Sequence, residues 1–389
     1  MPEPRPPAHL LHVFATFVAA GPQIRTARLM AGFGRRFRHT ILAMDGRTGA
    51  AELIPPELDV AMREPPARGP WRRPRELSKM LRELRPDLLL TYNWGSFDAV
   101  LAARFGAALR GLAHVHHEDG FNLDEARKQK RRRVLLRRFG LTRARKVVVC
   151  SRGLARIARE SWRIPDGRLQ LIENGILTDR FGPGENPQLR REFDIPEDAL
   201  VIGSVGHLRP VKNFARLLRA VAGIDRGRLG GRPPHLLLAG DGPGRDELLA
   251  LARRLSPSGG VLTLAGHLTD LSDFYRAMDL FALTSDSEQH PVALLEAMCS
   301  GLPVVATDVG DIRSIVPEEQ LGFLVPLGSG EPEARLSRLF EDLALDAALR
   351  ARLGRQNRER VLDRYTFETM FEAYRKTYQT ALGRGEADS

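Results

Sequence analysis

The chain has 389 residues, 43% of them hydrophobic, a formal net charge of +11 and only two cysteines, Cys150 and Cys299. That length exceeds one ordinary core and calls for two domains. The composition excludes a disordered chain, two cysteines in apolar settings exclude a disulfide or metal framework, and no apolar run approaches membrane-spanning length. The positive charge implies an anionic partner, such as nucleic acid, a membrane surface or a phosphorylated substrate, without choosing among them.

Residues 9–17 read as a first buried strand. His12 and Thr16 interrupt what would otherwise pass for a signal-peptide core, and the Pro-rich start carries one Arg offset by Glu3. A cytoplasmic protein is expected. Gly21-Pro22-Gln23 then turns into a helical stretch over 25–33. Strand, turn and helix form a βα unit whose turn points to the sheet's C-terminal edge, where ligands bind in open α/β folds. A second strand is predicted over 40–44, a Pro- and Arg-rich loop over 55–74, a helix over 75–84 and a strand over 87–90. Thr91-Tyr92-Asn93-Trp94-Gly95-Ser96 follows that strand, with aromatics and amides that suit either a sugar or a packed turn.

His114-Val115-His116-His117-Glu118-Asp119-Gly120-Phe121-Asn122 is a dense run of groups that titrate or hydrogen-bond, with a strand ending near His116. Its histidine spacing matches no zinc finger or metalloprotease pattern, so no metal is assigned to it. Residues 127–146 are strongly basic, and no acidic residue stands between Glu125 and Glu160. Val134, Leu135, Leu136 and Phe139 put an apolar strip among the arginines. Such a basic amphipathic helix suits an anionic membrane surface or a polyanion; the alternative is a solvated helix packing its strip inward. A strand over 146–150, Ser151 as a helix cap, a strand over 169–173 and a Pro/Gly-rich linker over 179–187 complete the first half.

The second half alternates strands (200–205, 236–239, 261–266, 279–283, 303–307, 321–325) with helices, ending in helical stretches over 333–360 and 365–380. This alternation requires parallel sheets. Gly240-Asp241-Gly242-Pro243-Gly244 has the look of a dinucleotide fingerprint, but Pro-Gly follows its second glycine. Between 284 and 310 a polar loop leads to Pro291 at a first helical position, a helix over 292–299, Gly301 as its stop and a short buried strand. Glu288 lies just before the helix and Glu296 in its second turn. Beside Val292, Ala293, Cys299 and Ser300, the Glu296 carboxylate is costly unless it is hydrogen-bonded or meets a polar ligand. The helix N-terminus suits a phosphate. A diphosphate-bearing ligand with a carboxylate on hydroxyls at each end fits this unit; two solvated carboxylates are the plainer alternative.

Glu288-x7-Glu296, continued by Ala297-Met298-Cys299-Ser300-Gly301-Leu302-Pro303-Val304-Val305-Ala306-Thr307-Asp308-Val309-Gly310, resembles the signature of family 4 retaining glycosyltransferases. Gly203-Ser204-Val205-Gly206-His207-Leu208-Arg209-Pro210-Val211-Lys212-Asn213 resembles that family's second motif. The resemblance implies an α/β chain of GT-B architecture, two Rossmann-like domains facing each other across a cleft. Residues 1–178, joined by a returning C-terminal helix at about 365–385, would bind the acceptor, and 179–364 the nucleotide-sugar donor. It implies Glu296 on the ribose, Glu288 on the donor sugar, and Lys212, His207 and Arg209 on the diphosphate beside Gly206, Pro291 and Val292. His207 stands where the family usually has Arg, and Gln289-His290-Pro291 stands where it has glycine after the first Glu. Catalytic candidates in the first domain are His117, Asp119 and His116; acceptor candidates are Gly21, Asn93 and Trp94. No metal or other cofactor is implied, and a nucleotide-sugar is the donor substrate. The acceptor would be a saccharide or lipid-linked molecule in polysaccharide or glycoconjugate biosynthesis, with peripheral contact to an anionic inner membrane face through 127–146 and no specific nucleic acid. The competing readings are a non-catalytic nucleic-acid-binding protein, for which the basic segment offers mainly Phe139, and a dehydrogenase or GT-B epimerase.

Overall fold

The computed structural model describes residues 6–66, 72–106, 109–121, 125, 129–257, 259–328 and 330–384. The chain divides into two compact units, one of residues 1–173 and 370–389, the other of residues 174–369.

The first unit is built on β1 (Ala8–Phe14), β2 (Phe37–Ala43), β3 (Val60–Arg63), β4 (Leu88–Tyr92), β5 (Ala113–Glu118), β6 (Lys146–Val149) and β7 (Leu169–Leu171). They pair in parallel in the order β3-β2-β1-β4-β5-β6-β7. All of β1, β4 and β5 is buried, as expected of parallel strands covered on both faces. Beyond β1 the chain runs outward through β2 and β3, then returns to β4 on the other side. That reversal opens a crevice at the C-terminal ends of β1 and β4. The edge strand β3 falls inside the stretch read from sequence as a loop. It is four residues long and mostly exposed, so it carries no apolar pattern to read.

The second unit is built on β8 (Leu200–Val205), β9 (Pro234–Ala239), β10 (Leu262–Gly266), β11 (Leu280–Leu283), β12 (Val304–Thr307) and β13 (Leu324–Val325), in the parallel order β10-β9-β8-β11-β12-β13. Its strands alternate between two apolar cores. Val201, Leu237, Phe281, Val304 and Ala306 fill one face; Ile202, Leu236, Leu238, Leu280 and Val305 fill the other. The reversal point here lies between β8 and β11.

The helical stretch predicted over 333–360 is two helices, Pro332–Leu345 and Ala347–Arg364. Asp346 breaks it, because its carboxylate accepts the Leu349 N–H at 2.7 Å and caps the second helix. The last helix, Phe367–Leu382, belongs to the first unit from Met370 onward. There Phe371 packs on Phe33 and lies over Gly32, where a Cβ would come within 2.6 Å of its ring.

Six histidines sit in the buried strands of the first unit. His12 Nε2 lies 3.0 Å from His39 Nδ1, and His12 Nδ1 lies 3.0 Å from the Tyr92 hydroxyl. Thr91 Oγ1 joins His114 Nε2 and His116 Nδ1, each at 2.8 Å. Burial, aided by His9, pushes His39 down to about 4, and burial, aided by His116, pushes His114 down to about 3. Both values lie below the ordinary 6.5, so the folded chain refuses protons that the unfolded chain accepts. Their stabilising contribution is complete above pH 6.5 and is lost as pH falls toward the folded values, by up to about 1.4 kcal/mol per ring per pH unit. Urea unfolding at about pH 7.5 and about pH 5 is therefore expected to give a clearly lower midpoint at the acid value. Equal midpoints would mean that these rings protonate without disturbing the fold.

Candidate functional site

In the second unit, four loops leave the C-terminal ends of β8, β9, β11 and β12. Gly206 follows β8, and the 240–244 turn follows β9. Gly240 (φ +139°) and Gly242 (φ +152°) let these two turns interlock. A Cβ on Gly240 would collide with the Gly206 carbonyl, and one on Gly242 would come within 2.7 Å of the His207 ring. Backbone bonds seal the contact, from Leu208 N–H to Asp241 O and from Gly244 N–H to Leu208 O, both 2.9 Å. The glycines of 240–244 thus serve a close approach of two backbones.

Lys212 ends a 3-10 turn, Pro210–Lys212. Asn213 follows in a left-handed conformation and its side chain caps the helix Phe214–Ala222 through the Arg216 N–H. Arg216 in turn pairs with Asp286 at 2.8 Å, and the Asp286 N–H donates to Val211 O at 2.8 Å. These bonds tie the loop after β8 to the loop after β11. At their junction Lys212 Nζ lies 2.6 Å from Glu288 Oε1, and Ser285 Oγ donates to the same oxygen at 2.6 Å. Gly310 (φ +59°) passes so close that a Cβ there would collide with the Glu288 carbonyl. The lysine expected on a diphosphate and the carboxylate expected on a sugar therefore form an ion pair.

The helix Val292–Cys299 follows. Pro291 is its N-cap, with extended backbone, not its first helical residue as read from sequence. Gly301 (φ +75°) is the left-handed stop that the sequence predicted. Glu296 is only 7% exposed. The hydroxyl of Tyr275, from the helix Ser272–Arg276, donates to its Oε2 at 2.9 Å. The costly carboxylate thus has a partner, 21 residues away, that no sequence pattern announced. His207 and Arg209 are exposed on the loop after β8. Partial burial and then the Arg209 charge hold the His207 imidazole below its ordinary value, so the ring adds little positive charge at neutral pH.

In the first unit the sequence candidates separate. The strand β5 runs on through Glu118, two residues past its predicted end. Residues 116–118 consequently alternate into the two buried faces. His117 stacks on Tyr92 at 4.5 Å, with Nδ1 3.2 Å from Thr91 O and Nε2 3.1 Å from the Tyr378 hydroxyl. His116 is enclosed by Thr91, Phe97 and Glu118. Both rings are buried among core groups. Asp119 is the first residue past the strand. Its side chain is 13% exposed and pairs with both terminal nitrogens of Arg25, at 2.6 and 3.1 Å. Asn93 (φ +55°) accepts the Asp119 N–H at 2.7 Å. Gly21 is the exposed first residue of the helix Gly21–Phe33 at the same sheet edge. Trp94 stacks on Phe97 and lies under the guanidinium groups of Arg133 and Arg137, so its ring supports the interior. Asn122 lies outside the described residues.

Within the basic segment, Arg127 and Lys128 also lie outside the described residues, and the helix is Arg131–Gly140. Arg137 points inward at 1% exposure. Its guanidinium lies over Trp94, Phe121 and Trp162 and pairs with Glu118 at 3.1 Å and Glu125 at 3.5 Å. Arg133 pairs with Glu125 at 2.8 Å. Outward, Phe105, Leu135 and Phe139 are 65%, 60% and 44% exposed. Phe105 and Phe139 rings lie 5.6 Å apart, with Arg104 over Phe139.

Comparison with known proteins places this geometry. Residues 185–360 match the family of glycosyl transferases group 1, and residues 20–175 match the glycosyl transferase 4-like domain. A D-inositol 3-phosphate glycosyltransferase of Saccharomonospora viridis is 32% identical over 57% of this chain and 53% of its own. The lipopolysaccharide core biosynthesis glycosyltransferase LpsE of Rhizobium meliloti is 34% identical over 48% of this chain and 51% of its own. The chain thus spans about half the length of these curated relatives. The Anabaena protein HepE, solved with UDP and glucose, matches 96% of this chain and 100% of its own with a TM-score of 0.79 at 18% identity. That likeness identifies the fold as GT-B.

Breaking a buried ion pair on one side leaves an uncompensated charge, so Arg137→Ala is expected to cost roughly 3–5 kcal/mol of stability. Exposed Arg131→Ala should cost under about 0.5 kcal/mol. Urea unfolding of the two variants measures the contrast, and similar small effects would refute the buried role of Arg137.

Proposed function

From the premise that the chain belongs to the group 1 glycosyltransferases, with a first domain of the 4-like type, we propose that it transfers a sugar from a nucleoside diphosphate sugar to a saccharide or lipid-linked acceptor, with retention, in polysaccharide or glycoconjugate biosynthesis. Uridine is the base to try first, because UDP accompanies HepE. The observation that carries the reading is the pairing of Lys212 with Glu288 on the loops after β8 and β11, at the reversal point of the second sheet.

The second unit takes the donor. Its diphosphate displaces Glu288 from Lys212, since two phosphates offer the ammonium more negative charge than one carboxylate. Glu288 is then released toward the sugar hydroxyls, beside the N-terminus of the helix after Pro291. Glu296 accepts from the ribose hydroxyls. As the sugar–diphosphate C–O bond breaks and the acceptor oxygen bonds the same face, the acceptor hydroxyl's proton passes to the leaving phosphate oxygen, and Lys212 and Arg209 stabilise the charge left on the leaving group, with His207 contributing when protonated. We propose no metal ion for this step, because these side chains supply the positive charge. The first unit takes the acceptor at the edge lined by Gly21, Asn93 and Asp119, with Asp119 as first catalytic candidate ahead of the more buried His117 and His116.

The exposed Phe105, Leu135 and Phe139, set among Arg104, Arg131 and Arg132, support peripheral contact with an anionic membrane face from the cytoplasmic side. Among the described residues, no helix is long and apolar enough to cross a membrane.

Thermal-shift measurements against UDP, GDP, ADP and their sugars, with and without EDTA, test the donor site. One nucleotide series is expected to raise the melting temperature, with the shift surviving EDTA, vanishing in Glu296→Ala and shrinking in Lys212→Ala. No shift with any nucleotide at millimolar concentration would overturn the reading. For the membrane, sedimentation with phosphatidylglycerol-containing vesicles should be lost in high salt and in a Phe105→Ser/Phe139→Ser variant. Equal binding to neutral phosphatidylcholine vesicles would exclude the electrostatic contact.

A further inference from the structure

The helix Ser272–Arg276 holds a buried phenol that the donor reading leaves without a task. Tyr275 is fully enclosed, its ring set between Phe181 at 5.8 Å and Phe281 at 6.0 Å. An apolar residue would fill this space as well. Its hydroxyl instead donates to Glu296 Oε2 at 2.9 Å and lies 3.3 Å from the Ala293 carbonyl. We infer that Tyr275 is a positioning residue for the ribose of the donor, acting through Glu296 to make the site select ribonucleotides.

This inference rests on the nucleotide-sugar reading above and deepens it. Two vicinal hydroxyls are bound by one carboxylate only if its plane is fixed and it is ionised. A glutamate side chain ends in a broad torsion, so the carboxylate plane is set by its partners. Tyr275 fixes one oxygen from the interior side. Burial, and next the Glu296 charge, push the phenol well above its ordinary value, so it remains a hydrogen-bond donor at every working pH.

Calorimetric titration of the full chain with UDP, GDP and ADP, and with their 2′,3′-dideoxy forms, tests the assignment. Tyr275→Phe keeps the ring contacts and deletes the hydroxyl; Tyr275→Met is the second variant should the first fold poorly. Wild type is expected to prefer the ribonucleotide. Tyr275→Phe should lose roughly tenfold in affinity for it, with no loss for the dideoxy form. Adding Tyr275→Phe to Glu296→Gln should cost nothing further. An equal loss for both nucleotide forms would make Tyr275 merely structural, and unchanged discrimination would remove it from the site; either overturns this inference and leaves the donor reading standing. A wild type that binds none of the three nucleotides overturns both.

Discussion

A parallel sheet covered on both faces leaves only the ends of its strands for chemistry, and both sheets of this chain obey that constraint. Side chains within the strands alternate between two apolar layers. Polar groups placed there are consumed by each other, as the histidines of β1, β2 and β5 are. What remains is the line where each strand order reverses. In the second unit that line gathers Gly206, Lys212, Thr284, Ser285 and Glu288 from segments more than 70 residues apart. Glycines 240, 242 and 310 allow it, since each removes a Cβ from a place where another backbone passes.

The Lys212–Glu288 pair joins the loops after β8 and β11. Both side chains are largely buried, and either charge alone would be expensive there. Paired, they are neutral together, and Ser285 supplies a further bond to the carboxylate. The exposed His207 and Arg209 lack such an arrangement, and partial burial, then the Arg209 charge, hold the His207 ring below its ordinary value. Replacing an arginine by histidine at this position makes part of the site's charge conditional on proton uptake.

The second unit was legible because its sequence carried physical contradictions. A carboxylate among apolar neighbours demanded a partner, and a glycine after a helix demanded a stop. Both demands are met, at Glu296 and Gly301. The identity of the partner was not legible, since Tyr275 is distant in sequence and sits in a five-residue helix among aromatics that read as core. Pro291 was misplaced by one position because proline suits both the N-cap and the first turn. The edge strand β3 and the break at Asp346 escaped for a related reason. Each depends on a short local interaction that leaves no periodic trace.

The first unit resisted reading because density of titrating side chains is a poor guide to where a strand ends. His117 and Glu118 looked like the start of a loop after a strand ending near His116. Two more residues of β5 bury both, and the buried Glu118 then requires a cation. Arg137 is that cation, drawn inward from a helix whose sequence looks uniformly basic. Its three aromatic neighbours and two carboxylates account for its burial, and they separate it from the arginines around Phe105 and Phe139. A run of positive charge therefore contains two populations. Those arginines facing buried acids hold the domain together, and only the rest are available to an anionic surface. Asp119 is the first side chain of the cluster to leave the sheet, and it too faces a buried arginine, Arg25.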